Sequence, residues 1–256
     1  MPEQKSTGRR AAFVTGASYG IGEATALALA RDGFDVAVSA TRLENLSTVV
    51  TKLEAIGTRV APVALDLRAQ SSIEQATAQV ISALGRVDVL VNNAGVTLRR
   101  LALDVTAAEW DTVIQTNLTG TFFMTQQVAR HLVESGRPGC VINIASTHGL
   151  VGLATRSVYG ISKAAIIHMT RMLAIEWADH GIRVNAIAPG RVETGSPARA
   201  ASLADPKYRE AMLNRVPLHR FCTSEEAAGA ACYLASPLAA TITGQTLILD
   251  GGLTSY

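Results

Sequence analysis

Short runs of apolar, often β-branched residues alternate along this chain with longer Ala- and Leu-rich stretches whose apolar positions recur at helical spacing. Residues 11–15, Ala-Ala-Phe-Val-Thr, read as a buried strand. Residues 21–31 read as a helix closed by Gly33, because glycine takes the left-handed conformation that ends a helix without strain. Further strands are predicted at 36–38, 59–65, 87–91, 140–145, 183–187 and 246–249. Helices are predicted at 43–56, 72–84, 108–135, 158–180 and 224–235, and Gly57, Gly85 and Gly181 follow three of them. Strands that are apolar at nearly every residue have both faces covered, and helices between successive strands make them parallel. The expected class is α/β: a seven-stranded parallel sheet with helices on both faces. Residues 194–219 break the rhythm with Gly, Pro, Ser and scattered charges, and read as a long functional loop. Residues 1–8 read as a flexible tail.

A length of 256 residues lies between one and two domains, and the lack of an internal break in composition makes one domain, 1–256, the expectation. With 48% apolar residues a large core is available. Lys and Arg number 23 against 21 Asp and Glu, a net charge of +2. That balance excludes a protein built to neutralise a nucleic-acid backbone, and the low charge excludes intrinsic disorder. Cys140, Cys222 and Cys232 are widely spaced and form no CxxC step, so no metal site is expected. They read as reduced, buried thiols of a cytoplasmic protein. No apolar run approaches the roughly 18 residues of a membrane span. Lys5, Arg9 and Arg10 begin like a signal peptide, but the apolar stretch after them is short and is interrupted by Gly16 and Ser18.

The first strand runs straight into Thr15-Gly16-Ala17-Ser18-Tyr19-Gly20-Ile21-Gly22, which opens a helix. Glycines there let the backbone turn tightly and approach a pyrophosphate seated on the positive helix end. The spacing is GxxxGxG rather than GxGxxG, and a tight strand–helix turn needs glycine in any case. Its place after the first strand of a βαβ unit is what favours a dinucleotide. About 20 residues on, a carboxylate would hold a ribose 2′-hydroxyl. Thr41 and Arg42 stand there instead. An arginine suits a 2′-phosphate, so NADP(H) is expected over NAD(H); a solvated arginine at a helix start is the plainer alternative.

These motifs extend into an ordered set: Asp66 after the third strand, Asn92-Asn93-Ala94-Gly95 after the fourth, and Asn117 in the long helix. Ser146, Tyr159-Gly160-Ile161-Ser162-Lys163, Pro189-Gly190 with Thr194, and Asp250-Gly251-Gly252 complete it. From about Arg9 to Gly252 the chain resembles the short-chain dehydrogenase/reductase superfamily. The resemblance implies a doubly wound Rossmann sheet in the order 3-2-1-4-5-6-7 and a homotetramer. It implies that Gly16, Ser18, Tyr19, Gly20, Ile21 and Gly22 hold the cofactor phosphates, and that Asp66, with Leu67, takes the adenine amino group. Asn93, Ala94 and Gly95 would lie against the adenosine and ribose, although the asparagines of this motif also read as structural residues that brace the sheet. Pro189, Gly190 and Val192, with the Thr194 hydroxyl, would hold the nicotinamide carboxamide. Tyr19 departs from NADP-binding relatives, which often carry a basic residue there.

Tyr159 and Lys163 stand four apart on one predicted helix and so share a face. A phenol titrates near pH 10, too high for easy proton transfer at neutrality, and a neighbouring ammonium favours the phenolate. Tyr159 is the expected general acid in carbonyl reduction and general base in alcohol oxidation. The resemblance gives Lys163 a second task, a hydrogen bond to the nicotinamide ribose. Ser146, at a strand's carboxyl edge, can donate to a substrate oxygen as charge develops there. A nucleophilic serine is excluded, because no Gly-x-Ser-x-Gly elbow and no His in triad order accompany it. His148 reads either as a cleft-wall residue or as a surface histidine. Asn117, in an apolar helix, is either a satisfied core asparagine or, as the resemblance implies, the holder of a water linking Lys163 to solvent.

The substrate is less legible. Residues 195–216 would form a lid carrying Arg199, Lys207, Arg209 and Arg215 against Asp205 and Glu210, and Arg99 and Arg100 lie near the cleft rim. These cations either meet an anionic substrate or are solvated. The pattern is most similar to 3-oxoacyl-acyl-carrier-protein reductases and to related sugar and polyol dehydrogenases. Carrier docking in the former uses basic residues near the ends of the two long helices; Arg137 fits one place, and His180 occupies the other. The expected activity is NADP(H)-dependent interconversion of a small carbonyl and a secondary alcohol. The alternatives are an NAD-dependent sugar or polyol dehydrogenase and a non-catalytic dinucleotide-binding protein.

Overall fold

The computed structural model describes residues 8–193 and 205–255. Its elements run β1 (Ala11–Val14), α1 (Gly20–Arg31), β2 (Asp35–Ala40), α2 (Ser47–Ile56), β3 (Val60–Ala64), α3 (Gln70–Leu84), β4 (Val89–Asn92), α4 (Ala107–Ile114) and α5 (Thr121–Glu134). They continue with β5 (Gly139–Ile144), α6 (Ser157–Glu176), β6 (Ile182–Pro189), β7 (Val192–Glu193), α7 (Pro206–Leu213), β8 (Cys222–Thr223), α8 (Ser224–Ala235) and β9 (Thr246–Leu249). The main sheet is parallel throughout, in the order β3-β2-β1-β4-β5-β6-β9. Its seventh strand is β9 by chain order because β7 and β8 pair only with each other.

Successive strand side chains point to opposite faces, and the two cores divide accordingly. Ala11 and Phe13 of β1 pack with Ile73, Val80, Met124, Leu132, Ile166 and Leu173 of α3, α5 and α6. Ala12 and Val14 pack with Leu29, Val49, Leu53 and Leu234 of α1, α2 and α8. The chain crosses from β1 outward to β3 and then returns to β4, so strand order reverses between β1 and β4. Loops leaving those two strands diverge there and open a crevice at the carboxyl edge.

Three helices are less regular than their periodicity suggests. The 43–56 segment begins with a 3-10 turn, Leu43–Leu46. The 158–180 segment leaves the α-helix at Glu176 and ends in a 3-10 turn, Ala178–His180, before left-handed Gly181. The 108–135 segment contains a π-helical stretch, Gln115–Gly120, between α4 and α5. The expected loop 194–219 holds α7, capped by Asp205, whose side chain accepts from the Lys207 N–H at 3.0 Å, with Pro206 in the first turn. A proline there forfeits no helical hydrogen bond, so Asp-Pro is a start signal that the surrounding charges obscured.

All three cysteines are free; Cys140 and Cys222 are buried and Cys232 is half-buried. Burial pushes the Cys222 thiol up to about 11 and the Cys232 thiol up to about 12, and raises that of Cys140 as well. Thiols held in that form are poor nucleophiles. Native protein near neutral pH should therefore leave Ellman's reagent almost uncoloured, and all three thiols should react once guanidinium unfolds it. Rapid labelling of the native protein would contradict this burial.

Candidate active site

The glycine turn is built by close contact. Gly16 has φ +65°, and a Cβ there would sit 2.7 Å from the Ala94 Cα. A Cβ on Gly22 would meet the Gly16 carbonyl oxygen and lie 2.5 Å from Asn93 Nδ2. The turn is then pinned from β4. Asn93 Nδ2 donates to the Thr15 and Gly16 carbonyls (3.0 and 2.8 Å), and Thr15 Oγ1 accepts from the Asn93 and Ala94 N–H groups (3.1 Å each). Asn93 thus braces the turn itself. Thr15, read from sequence only as the end of the strand and the start of the turn motif, is a structural anchor of the turn, one residue beyond β1. No side chain caps α1, and its first-turn carboxylate, Glu23, is held by Lys52 at 2.7 Å. The positive helix end, the close-packed turn and exposed Tyr19 leave a cradle of the kind that a pyrophosphate fits.

β2 runs alongside this turn. Ser39 O accepts from the Ala17 N–H at 2.9 Å, and Ser39 Oγ from the Gly16 N–H at 3.4 Å. Thr41 and Arg42 follow, both exposed, with Arg42 extended at φ −135°. Asp66 lies beyond β3, and its carboxylate is held bidentately by Arg68 at 3.0 and 2.8 Å. Those hydrogen bonds lower its pKa. Leu67 is buried against Gly120, where a Cβ would strike the Leu67 carbonyl oxygen.

On the other side of the crevice, Ser146 follows β5 and Lys163 lies on α6; both are buried, and Tyr159 is half-buried. Lys163 Nζ donates to the Ile144 carbonyl at 2.7 Å and lies 5.8 Å from the Tyr159 ring centre. Ser146 Oγ accepts from the His148 N–H at 3.2 Å. One cleft is lined by Ile21, Asn93, Gly95, Ser146, Tyr159, Lys163, Pro189, Gly190 and Val192 together with Thr97, Ile144 and Ala145, which sequence reasoning did not single out. Thr194 lies outside the described residues.

Asn117, in the π-helical stretch, meets the loop that follows β4, behind this cleft. Its Oδ1 accepts from the Val96 N–H at 2.8 Å, and its Nδ2 donates to Val96 O at 2.9 Å and Ser162 Oγ at 3.1 Å. Ser162 Oγ donates in turn to the Tyr159 carbonyl at 2.7 Å. A Cβ on Gly95 would lie 3.1 Å from Asn117 Oδ1 and 3.7 Å from Lys163 Nζ, so both residues reach the same loop. Asn92 instead joins the sheet to its helices, donating to Thr125 Oγ1 (2.7 Å) and Asn143 Oδ1 (2.8 Å).

His148 is half-buried, its ring 6.0 Å from that of Tyr159 and nearly perpendicular to it. Burial first, and the Arg156 charge second, lower its pKa. Of the rim cations, Arg100 pairs with Glu109 and Arg209 with Glu193, each at 2.6 Å. Arg99 is exposed, and Arg199 lies outside the described residues. Arg137 precedes β5 and so stands at the sheet edge opposite Ser146. Among the described residues no helix is long and apolar enough to cross a membrane, and no three His, Cys, Asp or Glu side chains are placed to hold a metal ion.

A family model described as enoyl-(acyl carrier protein) reductase matches residues 16–254. The 3-oxoacyl-(acyl-carrier-protein) reductase FabG of Thermotoga maritima is 39% identical over 241 residues, 94% of this chain and 96% of that protein. A provisionally named short-chain alcohol dehydrogenase of Sinorhizobium meliloti superposes with a TM-score of 0.93 at 40% identity, covering 97% of each chain. A provisionally named 2-deoxy-d-gluconate 3-dehydrogenase of Agrobacterium tumefaciens, solved with bound NADP, gives 0.89 at 35% identity over 98% of each chain. Matched in this way over nearly its whole length, the chain belongs to the short-chain dehydrogenase/reductase superfamily, the oxidoreductases that interconvert CH–OH and C=O groups with a nicotinamide dinucleotide.

Proposed function

We propose that the protein is an NADP(H)-dependent carbonyl reductase of the 3-oxoacyl-thioester type, working as a homotetramer in the cytoplasm. The observation that carries the chemistry is the meeting of Ser146, Tyr159 and Lys163 with Ile21 of the glycine turn in one cleft. A nicotinamide dinucleotide held along the glycine turn would supply the hydride for the substrate carbon. The chain's own residues handle the oxygen. Ser146 donates a hydrogen bond to it, and the Tyr159 phenol passes it a proton. The Lys163 ammonium stabilises the phenolate that remains, with Ile144 O fixing its direction. Asn117, clamped on Val96, keeps the loop beside Lys163 in place. Ser18, Gly20 and Ile21 offer backbone N–H groups to the phosphates. Asp66, Leu67 and Ala94 would bound the adenosine side of the dinucleotide, and Val192 its nicotinamide side.

NADP(H) is supported by Arg42, exposed beside the turn where a carboxylate would select NAD(H), and by the NADP bound in the Agrobacterium relative. That relative's sugar-acid name also supports a second reading, a sugar or polyol dehydrogenase. Fluorescence titration with NADPH and NADH tests the cofactor. Arg42→Ala should weaken NADPH by about tenfold, the loss of one charge-assisted contact, and leave NADH unchanged. Tighter NADH binding by the native chain would overturn this part. Acetoacetyl thioesters and keto-sugar acids, assayed with the preferred cofactor, decide between the two substrate readings.

A further inference from the structure

The amino edge of the sheet carries a second cleft, on the side away from Ser146. Its walls include Arg10, Arg86, Arg137 and Arg183. These residues are far apart in sequence, yet each stands at the start of one of four strands. Arg10 precedes β1, Arg86 precedes β4, Arg137 precedes β5, and Arg183 is the second residue of β6. Those strands are neighbours in the sheet, so the parallel arrangement gathers four guanidinium groups at one edge.

The local acid does not balance them. Asp88 is the carboxylate among the lining residues, and its oxygens are taken by Arg86 (2.7 and 2.5 Å) and by the Ala11 N–H (2.8 Å). The Cys140 thiol in the same wall is kept protonated by burial. Arg10 is held in place by the Ala235 carbonyl and the Phe34 ring, and Arg183 by the Leu234 and Ile242 carbonyls. A guanidinium has five N–H donors, and these contacts use one on Arg10 and two on Arg183. Both therefore arrive oriented, with donors to spare.

Arg137 adds the observation that points to a ligand. Its side chain lines the cleft, while its Nη1, closed to solvent on the His131 side, has no hydrogen-bond partner among the described residues, so the guanidinium's charge is left without an acid of its own. Nearby His131 Nε2 is in the same state, and burial together with the Arg137 charge lowers the His131 pKa. A buried charged donor without an acceptor is costly, and native structures fill such places with water or an ion. Rigid guanidinium forks match tetrahedral oxyanions in particular.

We propose that this cleft binds a phosphate group, either free phosphate or the phosphate of a small monoester, with Arg137 as the central contact and Arg10 and Arg183 beside it. The site is separate from the cofactor cleft, and nothing in the argument depends on the substrate assigned above.

The test is calorimetric titration of the protein, saturated with whichever nicotinamide dinucleotide it binds more tightly, at constant ionic strength. Filling the glycine turn first removes the other phosphate site. Inorganic phosphate should bind at one site per chain. Arg137→Ala and Arg137→Gln should each weaken it about tenfold or more, while Arg31→Ala, an exposed charge change on α1, should leave it unaltered. Circular dichroism of each variant shows whether it is folded, and the glutamine variant keeps a polar side chain of similar length. Phenyl phosphate as a second titrant separates the two sources: equal or tighter binding indicates a monoester, and loss of binding indicates the free anion. Absence of saturable phosphate binding, or binding that both Arg137 variants leave intact, would overturn the proposal.

Discussion

Tyr159→Phe should lower kcat by roughly 10²- to 10⁴-fold and leave cofactor affinity nearly unchanged. The change removes one oxygen from a half-buried ring. The edge-on packing with His148 and the approach of Lys163 to the ring survive, because neither involves that oxygen. Lys163 keeps its Ile144 anchor, and the brace between Asn93 and the glycine turn lies on the other side of the cleft. Phenylalanine cannot donate a proton to an alkoxide, so the loss belongs to the proton-transfer step. Steady-state rates and fluorescence titration on the same preparation read the two quantities separately. A variant within tenfold of the native kcat would take Tyr159 out of this role. Loss of cofactor binding would show that the hydroxyl does something else.

Gly16→Ala should cost both stability and cofactor affinity, whereas Gly33→Ala should cost stability alone, and less of it. The comparison separates two effects of a methyl group. Both glycines have positive φ, +65° and +87°, a conformation that costs a non-glycine residue about 1–2 kcal/mol. At Gly33 the new Cβ meets nothing within 4 Å. At Gly16 it meets the Ala94 backbone at 2.7 Å. Ala94 cannot retreat freely, since its N–H is held by Thr15 Oγ1 at 3.1 Å. The turn must move instead, and the start of α1 moves with it. A melting temperature lower by at least about 4 °C is expected for Gly16→Ala, together with a tenfold or greater loss of cofactor affinity. Equal behaviour of the two variants, measured by thermal melting and titration, would remove the close approach from the explanation.

Where sequence and structure part, the causes are local. Asn117 reads from its neighbours as a polar residue in an apolar helix. Its clamp on Val96 depends on the π-helical stretch Gln115–Gly120, and a stretch of that kind leaves no mark in an i, i+3, i+4 pattern. Asn93 reads as part of a cofactor loop, and the structure turns its amide onto the carbonyls of Thr15 and Gly16. Asp66 reads as an open acceptor, yet Arg68, two residues on, occupies both its oxygens. Each of these is a side-chain choice among several nearby partners. Composition and spacing leave such choices open, because the competing hydrogen bonds differ by about 1 kcal/mol or less.

The layer architecture was legible from residue order alone. Strands buried on both faces and helices of matching period have few other ways to cover their apolar surface, so the pattern is sufficient. The candidate chemistry was legible as a set of residue types, one at the end of each strand or on the helix behind it. What only the tertiary structure decided is which ends meet. Because β1, β4, β5 and β6 are parallel neighbours, their carboxyl ends bring Ile21, at the end of the glycine turn, together with Asn93, Ser146 and Pro189 at one cleft. The same register brings the arginines at their amino ends to another. A net charge of +2 conceals that second grouping entirely, since charge becomes a field only once the sheet has placed it.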